Sequence, residues 1–89
     1  MVHELKIEYN YIREILAGLK TFEVRRDDRN YQLGDFLYLR EYNPETDTYG
    51  SIEIICFVSY ILRDPAYCKK GFVIMGIRRL SFAKEDIEL

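Results

Sequence analysis

Apolar residues recur along this chain with two different periods, and the changes of period mark the elements. His3 to Ile7 alternates, with Leu5 and Ile7 on one side and Glu4 and Lys6 on the other, as a short strand does. From about Tyr9 the spacing turns helical: Ile12, Ile15, Leu16 and Leu19 line one face, Asn10 is a candidate N-cap, and Gly18 stands where a left-handed residue ends a helix. Thr21 to Arg26 returns to period two. It predicts a strand with Phe22 and Val24 toward the core and Thr21, Glu23 and Arg25 on the non-core face. Asp27-Asp28-Arg29-Asn30 reads as a turn, and Gly34-Asp35 opens a strand from Phe36 to Tyr42. Asn43 to Thr48 is a hairpin loop. The run Ile52 to Leu62 is so continuously apolar that cover is expected on both faces over part of its length. Arg63-Asp64-Pro65 ends it, and Phe72 to Ile77 makes a last strong strand. Residues 80–89 predict a short strand or turn and then a frayed, acidic end.

These are about five or six strands and one early helix in 89 residues, room for a single domain over 1–89. A chain this short cannot leave long flat sheet edges open without inviting aggregation. Curling the sheet into a small barrel plugged by the helix removes them, so the expected class is α+β, mainly β: a small barrel with one N-terminal helix. An open sheet with a helix laid on it satisfies the same pattern.

Composition narrows the class further. At 48% hydrophobic and 15% aromatic residues the chain can build a core, and no apolar run is long enough to span a membrane. The first residues carry no basic-then-apolar leader, and two cysteines make no disulfide framework, so a cytoplasmic protein is expected. The net charge of −2 argues against a protein that coats nucleic acid indiscriminately. Charge is nevertheless local: residues 63–83 hold five basic groups and one acidic, residues 30–50 one basic and four acidic. Any anion site has to be confined.

The segment that carries chemistry is Gly18-Leu19-Lys20-Thr21-Phe22-Glu23-Val24-Arg25. It is a helix stop, a lysine at the turn, and a strand on which Glu23 and Arg25 stand side by side, about 7 Å apart along the backbone. An arginine held beside a carboxylate is pre-oriented, and its planar fork then takes a phosphate or a base edge. Lys20 adds a point charge on a flexible stem. One acceptor among several donors suits a ligand with both anionic and amine-bearing parts, as a nucleotide has. The same residues also make an ordinary exposed salt bridge on a sheet.

This Gly-x-Lys-x-x-Glu-x-Arg pattern, after a short helix and before a strand led by Gly34-Asp35, resembles the signature of the ASCH domain, a branch of the PUA-like superfamily. The order of segments fits through Gly71-Phe72-Val73-Ile74-Met75-Gly76-Ile77, and the opening His3-Glu4-Leu5-Lys6 looks like a small bacterial and phage group of ASCH-like proteins. The resemblance implies a PUA-like β-barrel with a cleft beside the helix that takes RNA or a nucleotide-like ligand, with Gly18, Lys20, Glu23 and Arg25 lining it. One branch of these domains hydrolyses the amide of N4-acetylcytidine with a lysine, a threonine and a glutamate. Lys20 matches the lysine, but the threonine position is Glu23 and Thr21 is out of register. Beyond Tyr49 and before the tail, Glu53 is the single glutamate.

The leading expectation is therefore a non-enzymatic module for RNA or a nucleotide. Lys20 and Arg25 contact phosphate or base, Glu23 orients Arg25 or accepts from an exocyclic amine, and Arg29, Lys6 and His3 form the rim. The competing expectation is a small amidohydrolase with Lys20 and Glu23 as catalytic groups. A third is a protein-interaction module using the aromatic hairpin around Tyr42 to Tyr49. His3 is the sole histidine, so neither a metal nor a cofactor is expected. Cys56 reads as a buried small hydrophobe, and Cys68, next to Lys69, has no histidine-type base for thiol catalysis. Tyr38, Tyr42 and Tyr60 read as core or barrel-end residues, and Lys69, Lys70, Arg78 and Arg79 as an edge that extends the rim.

Overall fold

In the computed structural model, residues 1–82 are described, with side chains through residue 80. The described chain runs β1 (Val2–Glu8), α1 (Tyr9–Leu16), β2 (Phe22–Arg26), β3 (Phe36–Asn43), β4 (Thr48–Leu62) and β5 (Phe72–Phe82). The five strands form one curled sheet in the order β1-β3-β4-β5-β2, a half-barrel with α1 on its inner side. β1 pairs parallel to β3, and the other pairings are antiparallel. The mainly β architecture with an early helix is as the hydrophobic pattern predicts. The strand expected near residue 80 is the continuation of β5 to Phe82, while the acidic end lies outside the described residues.

The core fills the concave side. Leu5 and Ile7 of β1, Leu37 and Leu39 of β3, Ile52, Ile54, Cys56 and Val58 of β4, and Val73, Met75 and Ile77 of β5 point inward against Ile12, Ile15 and Leu16. Alternation holds from Ile52 to Val58, an irregularity between Val58 and Tyr60 then turns Ile61 to the core, and no described element supplies the expected cover on the outer face. Ile55 and Phe57 remain half-buried and Tyr60 exposed on the convex side, because the only described helix packs inside the curl. Tyr60 is thus a surface residue, and Tyr38 and Tyr42 are half-buried on that same outer face rather than in the core.

Two local expectations about α1 change. The strand passes straight into the helix, so Glu8 takes the N-cap position with no side-chain cap bond, and Asn10 lies inside the first turn. At the other end Gly18 adopts φ +79, and the amides of Leu19 and Lys20 both donate to Glu14 O at 2.9 and 3.1 Å. That turn leaves Leu19 outside the helix and exposed. Arg79 from β5 donates through Nη1 to Leu16 O, a cation on the carbonyl end of the helix that ties α1 to the sheet.

No described helix is long and apolar enough to cross a membrane. Both cysteines are free and buried; burial, above all, pushes the Cys56 thiol up to about 11.

Candidate functional site

β2 is an edge strand, and its polarity is inverted relative to the expectation from its sequence. Glu23 is 4% exposed and faces inward, Arg25 is half-buried beside it, and Phe22 and Val24 are 46% and 47% exposed on the outer side. Alternation assigns two faces but not which one points in. The register with β5 decides it: Glu23 lies opposite the buried Met75, and Arg25 opposite the buried Val73. A buried carboxylate is costly unless cations and donors surround it. Lys20 Nζ donates to Glu23 Oε1 at 2.6 Å, and Arg25 Nη1 donates to Glu23 Oε2 at 3.1 Å.

The turn at Gly18 aims Lys20 into this cluster. Its ammonium also donates to Phe22 O at 2.6 Å and lies 4.8 Å from the Phe22 ring centroid and 5.6 Å from that of Tyr11. Arg25 has a second task. Its Nη1 and Nη2 donate to Lys6 O at 3.1 and 3.2 Å, and Arg29 Nη1 donates to Glu4 O at 2.9 Å. Among the described residues β1 and β2 are the two edges of the sheet, so these guanidinium groups bridge the seam that backbone pairing leaves open.

At one end of this seam, where it meets α1, is a cleft of about 610 Å³ lined by Lys6, Tyr11, Lys20, Phe22, Glu23 and Arg25, with Ile7, Glu8 and Val24. The acid–base trio expected from the sequence is therefore together, in a hollow beside the helix. Its formal charges, two positive and one negative, leave the cleft one net positive charge from these three groups. The two ring faces at its mouth are a feature that sequence reading missed. Tyr11, on the exposed side of α1, offered one signal, but Phe22 pointed to the core by pattern.

The predicted rim is only partly there. Lys6 lines the cleft, although its ammonium lies over the Tyr42 ring at 4.4 Å from the centroid. Arg29 lines the adjoining hollows of about 340 and 380 Å³ that share Arg25 with the cleft. His3 does not reach the rim. It faces inward from β1, where its Nε2 and Asp35 Oδ2 are 2.8 Å apart and its ring meets Tyr31 edge-on at 4.7 Å. Burial works against ionisation of Asp35, but hydrogen bonds from His3, from the Gln32 amide and from the N-terminal ammonium together hold its carboxyl below the ordinary value. Burial, first of all, raises the Tyr31 hydroxyl pKa against the opposing influence of Arg25 and Arg29.

Other named groups lie elsewhere. Thr21, just before β2, lines a neighbouring hollow with Gly18, Lys20, Arg78 and Arg79 and is not among the residues of the cleft. Glu53 is on the outer face of β4, accepting from the Tyr38 hydroxyl at 2.7 Å. Cys68 Sγ donates to Phe72 O at 3.3 Å, and Lys69 Nζ is 5.2 Å from the Phe72 ring centroid. The hairpin tyrosines Tyr42 and Tyr49 pack edge-on at 5.4 Å beneath Lys6 and Arg40. Next to them a hollow of about 490 Å³ between helix start and hairpin is acidic, with Glu8, Glu41 and Glu45 in its wall, and is unsuited to a phosphate. No group of three metal-ligating side chains occurs among the described residues.

Comparison with known proteins finds a similar segment in an uncharacterised 12.9 kDa protein encoded in the GpA 3′ region of Escherichia phage P2. The two are 44% identical over 41 residues, which is 46% of this chain and 38% of the phage protein. Residues 2–77, from β1 into β5 and across the whole cleft, match the family described as the domain of unknown function DUF3850, and the chain belongs to that family.

Proposed function

We propose that the protein is a binding module for RNA or a nucleotide, and that the ligand enters the cleft at the β1–β2 seam. One observation carries this reading: β2 turns its charged face inward, where Glu23 holds Lys20 and Arg25 beside a hollow of about 610 Å³. Burying a carboxylate between two cations gives little stability compared with an apolar pair of similar volume, so stability alone is a weak reason for the arrangement. As a recognition device it has a plain chemical sense. The cations are fixed before the ligand arrives, which reduces the ordering cost of binding. Arg25, already anchored on Lys6 O, presents a planar edge that suits a phosphate or a base. Glu23 accepts from an exocyclic amine, and the ring faces of Tyr11 and Phe22 suit a flat base. The likeness of Gly18, Lys20, Glu23 and Arg25 to the ASCH signature, and with it a PUA-like barrel, supports the same reading.

The test is fluorescence anisotropy with a labelled single-stranded RNA at several salt concentrations. With two cations on the ligand, log affinity falls with log salt at a slope of about −1 to −2. Arg25→Ala weakens binding about tenfold or more, the range for a charge-assisted hydrogen bond. Arg25→Lys retains the charge but not the fork and recovers part of the loss. Circular dichroism on each variant separates a binding defect from a folding one. Absence of binding at low salt, or affinity unchanged in a folded Arg25→Ala protein, refutes the proposal.

A further inference from the structure

The adjoining hollow of about 380 Å³ is more strongly positive than the cleft itself. Its wall brings Lys6, Arg25, Arg29 and Arg40 together with a single carboxylate, Glu4, in a chain whose net charge is −2. Lys6 and Arg25 line the cleft as well, so the two hollows share a wall. The cations along this track are not equally engaged. Lys20 and Arg25 share Glu23, and Arg40 Nη1 donates to Glu4 Oε2 at 2.9 Å. Among the described residues no carboxylate pairs with Lys6 or Arg29. Both are exposed, Lys6 over the Tyr42 ring and Arg29 with Nη1 on the Glu4 carbonyl, and their charge remains for an anion from outside.

Their spacing points to the form of that anion. Arg25 and Arg29 are fixed on the carbonyls of Lys6 and Glu4, two residues apart on β1, so the anchor points are about 7 Å apart along the seam. An extended nucleic-acid backbone covers such a step from one phosphate to the next. The linked phosphates of a di- or triphosphate share an oxygen and lie much closer together. Stacking surfaces also stand at both ends of the track. Tyr11 and Phe22 line the cleft, and in the second hollow the Arg40 guanidinium lies 4.0 Å from the centroid of the Tyr49 ring, which is 45% exposed. A mononucleotide has only one base for these two surfaces. We propose that the site takes a single-stranded nucleic acid rather than a free nucleotide, its backbone following the β1–β2 seam. One base enters the cleft and the phosphate beside it meets Arg25. The next phosphate meets Arg29 and Lys6, and the following base lies against Tyr49 and Arg40. A positive groove with stacking surfaces along it is how proteins track single strands. The inference rests on the cleft reading above and narrows its ligand.

The test compares a labelled oligocytidylate of about ten nucleotides, followed by fluorescence anisotropy, with cytidine 5′-monophosphate and 5′-triphosphate, followed by NMR titration of the isotope-labelled protein. The strand is expected to bind at least about a hundredfold more tightly than either nucleotide, about tenfold for each of the two added phosphate contacts. With Lys6 and Arg29 joining Lys20 and Arg25, its log affinity falls with log salt at a slope of about −3, or about −0.7 for each cation. Lys6→Ala and Arg29→Ala each weaken strand binding about tenfold and flatten the slope by about 0.7, which narrows the preference over the nucleotides. Arg13→Ala removes an exposed cation of α1 outside the seam and leaves strand affinity unchanged. Circular dichroism confirms that each variant is folded. A strand bound no more tightly than the mono- or triphosphate, or with a slope no steeper than about −2, overturns this inference and leaves the cleft reading standing. Unchanged strand affinity in folded Lys6→Ala and Arg29→Ala proteins overturns it too. Binding of none of the three ligands overturns both.

Discussion

Asp35 and Glu23 are both buried carboxylates, and each is held by different surroundings. The carboxyl of Asp35 ionises more readily in the folded chain than in the unfolded one, because donors from His3 and Gln32 outweigh the penalty of burial. The sign follows from linkage. Its contribution is fully present above the unfolded value, about 3.9, and is lost as pH falls through the lower folded value. Thermal melts from neutral pH to pH 2 are therefore expected to show an acid limb that Asp35→Asn flattens, at the cost of a lower melting temperature at neutral pH. Glu23 is held by two cations, and removing it leaves Lys20 and Arg25 facing each other. Glu23→Ala is expected to destabilise the fold by about 3 kcal/mol, as breaking a buried ion pair does. In a domain of this size that lowers Tm by more than about 10 °C, and a denaturant titration checks it. Cys56 presents the simplest residue-level case. Its thiol is enclosed and pushed up to about 11, so a thiol reagent at neutral pH is expected to react with it only at the rate of unfolding. Reaction as fast as with a free thiol would contradict the burial.

At the scale of elements, the positions of the strands and the helix were legible and the direction of one strand's faces was not. β1, α1 and β5 begin within a residue or two of where the period changes, because a buried stripe must repeat with the geometry of its element. β4 begins earlier, at Thr48, where polar residues hide the strand in an outward-facing hairpin arm. In β2 the rule that apolar residues point inward fails at Phe22 and Val24, and the register with β5 overrides it. That failure coincides with the candidate site, where local preference and functional arrangement diverge. His3 shows the same limit: its place at a strand start suggests the rim, whereas period two sets it with Leu5 and Ile7 on the inner face, where it is buried. Its partner Asp35 is distant in sequence, so no local pattern reveals the pair. The turn after α1 was readable from Gly18 alone. Its φ of +79 with open space around the missing side chain means that Gly18→Ala pays only for the left-handed backbone. The expected loss is about 1 kcal/mol, measured by chemical denaturation, with Gly18→Asn costing less.

For the whole molecule, curvature and edge position determine where stability is spent. β3, β4 and β5 each have a strand on both sides, whereas β1 and β2 pair on one side and meet across guanidinium bridges. Native-state hydrogen exchange is expected to place the amides of β4 near the global unfolding free energy and those of β2 well below it. Equal protection in both strands would show that the seam is as firm as the sheet interior. At the seam the charged groups of the cleft adjoin the apolar outer side of the sheet, because Phe22 and Val24 of the short strand β2 line the cleft next to Glu23 and Arg25.

The pairing of β2 with β5 has a consequence for how the protein is made. Synthesis delivers β2 early and β5, its only backbone partner among the described residues, late, since Phe22 waits for Gly76 and Arg26 for Phe72. On the ribosome, Lys20, Glu23 and Arg25 thus stay unassembled until almost all of the domain has left the exit tunnel. A nascent chain interrupted before residue 72 has the whole acid–base cluster in its sequence and no means of holding it together.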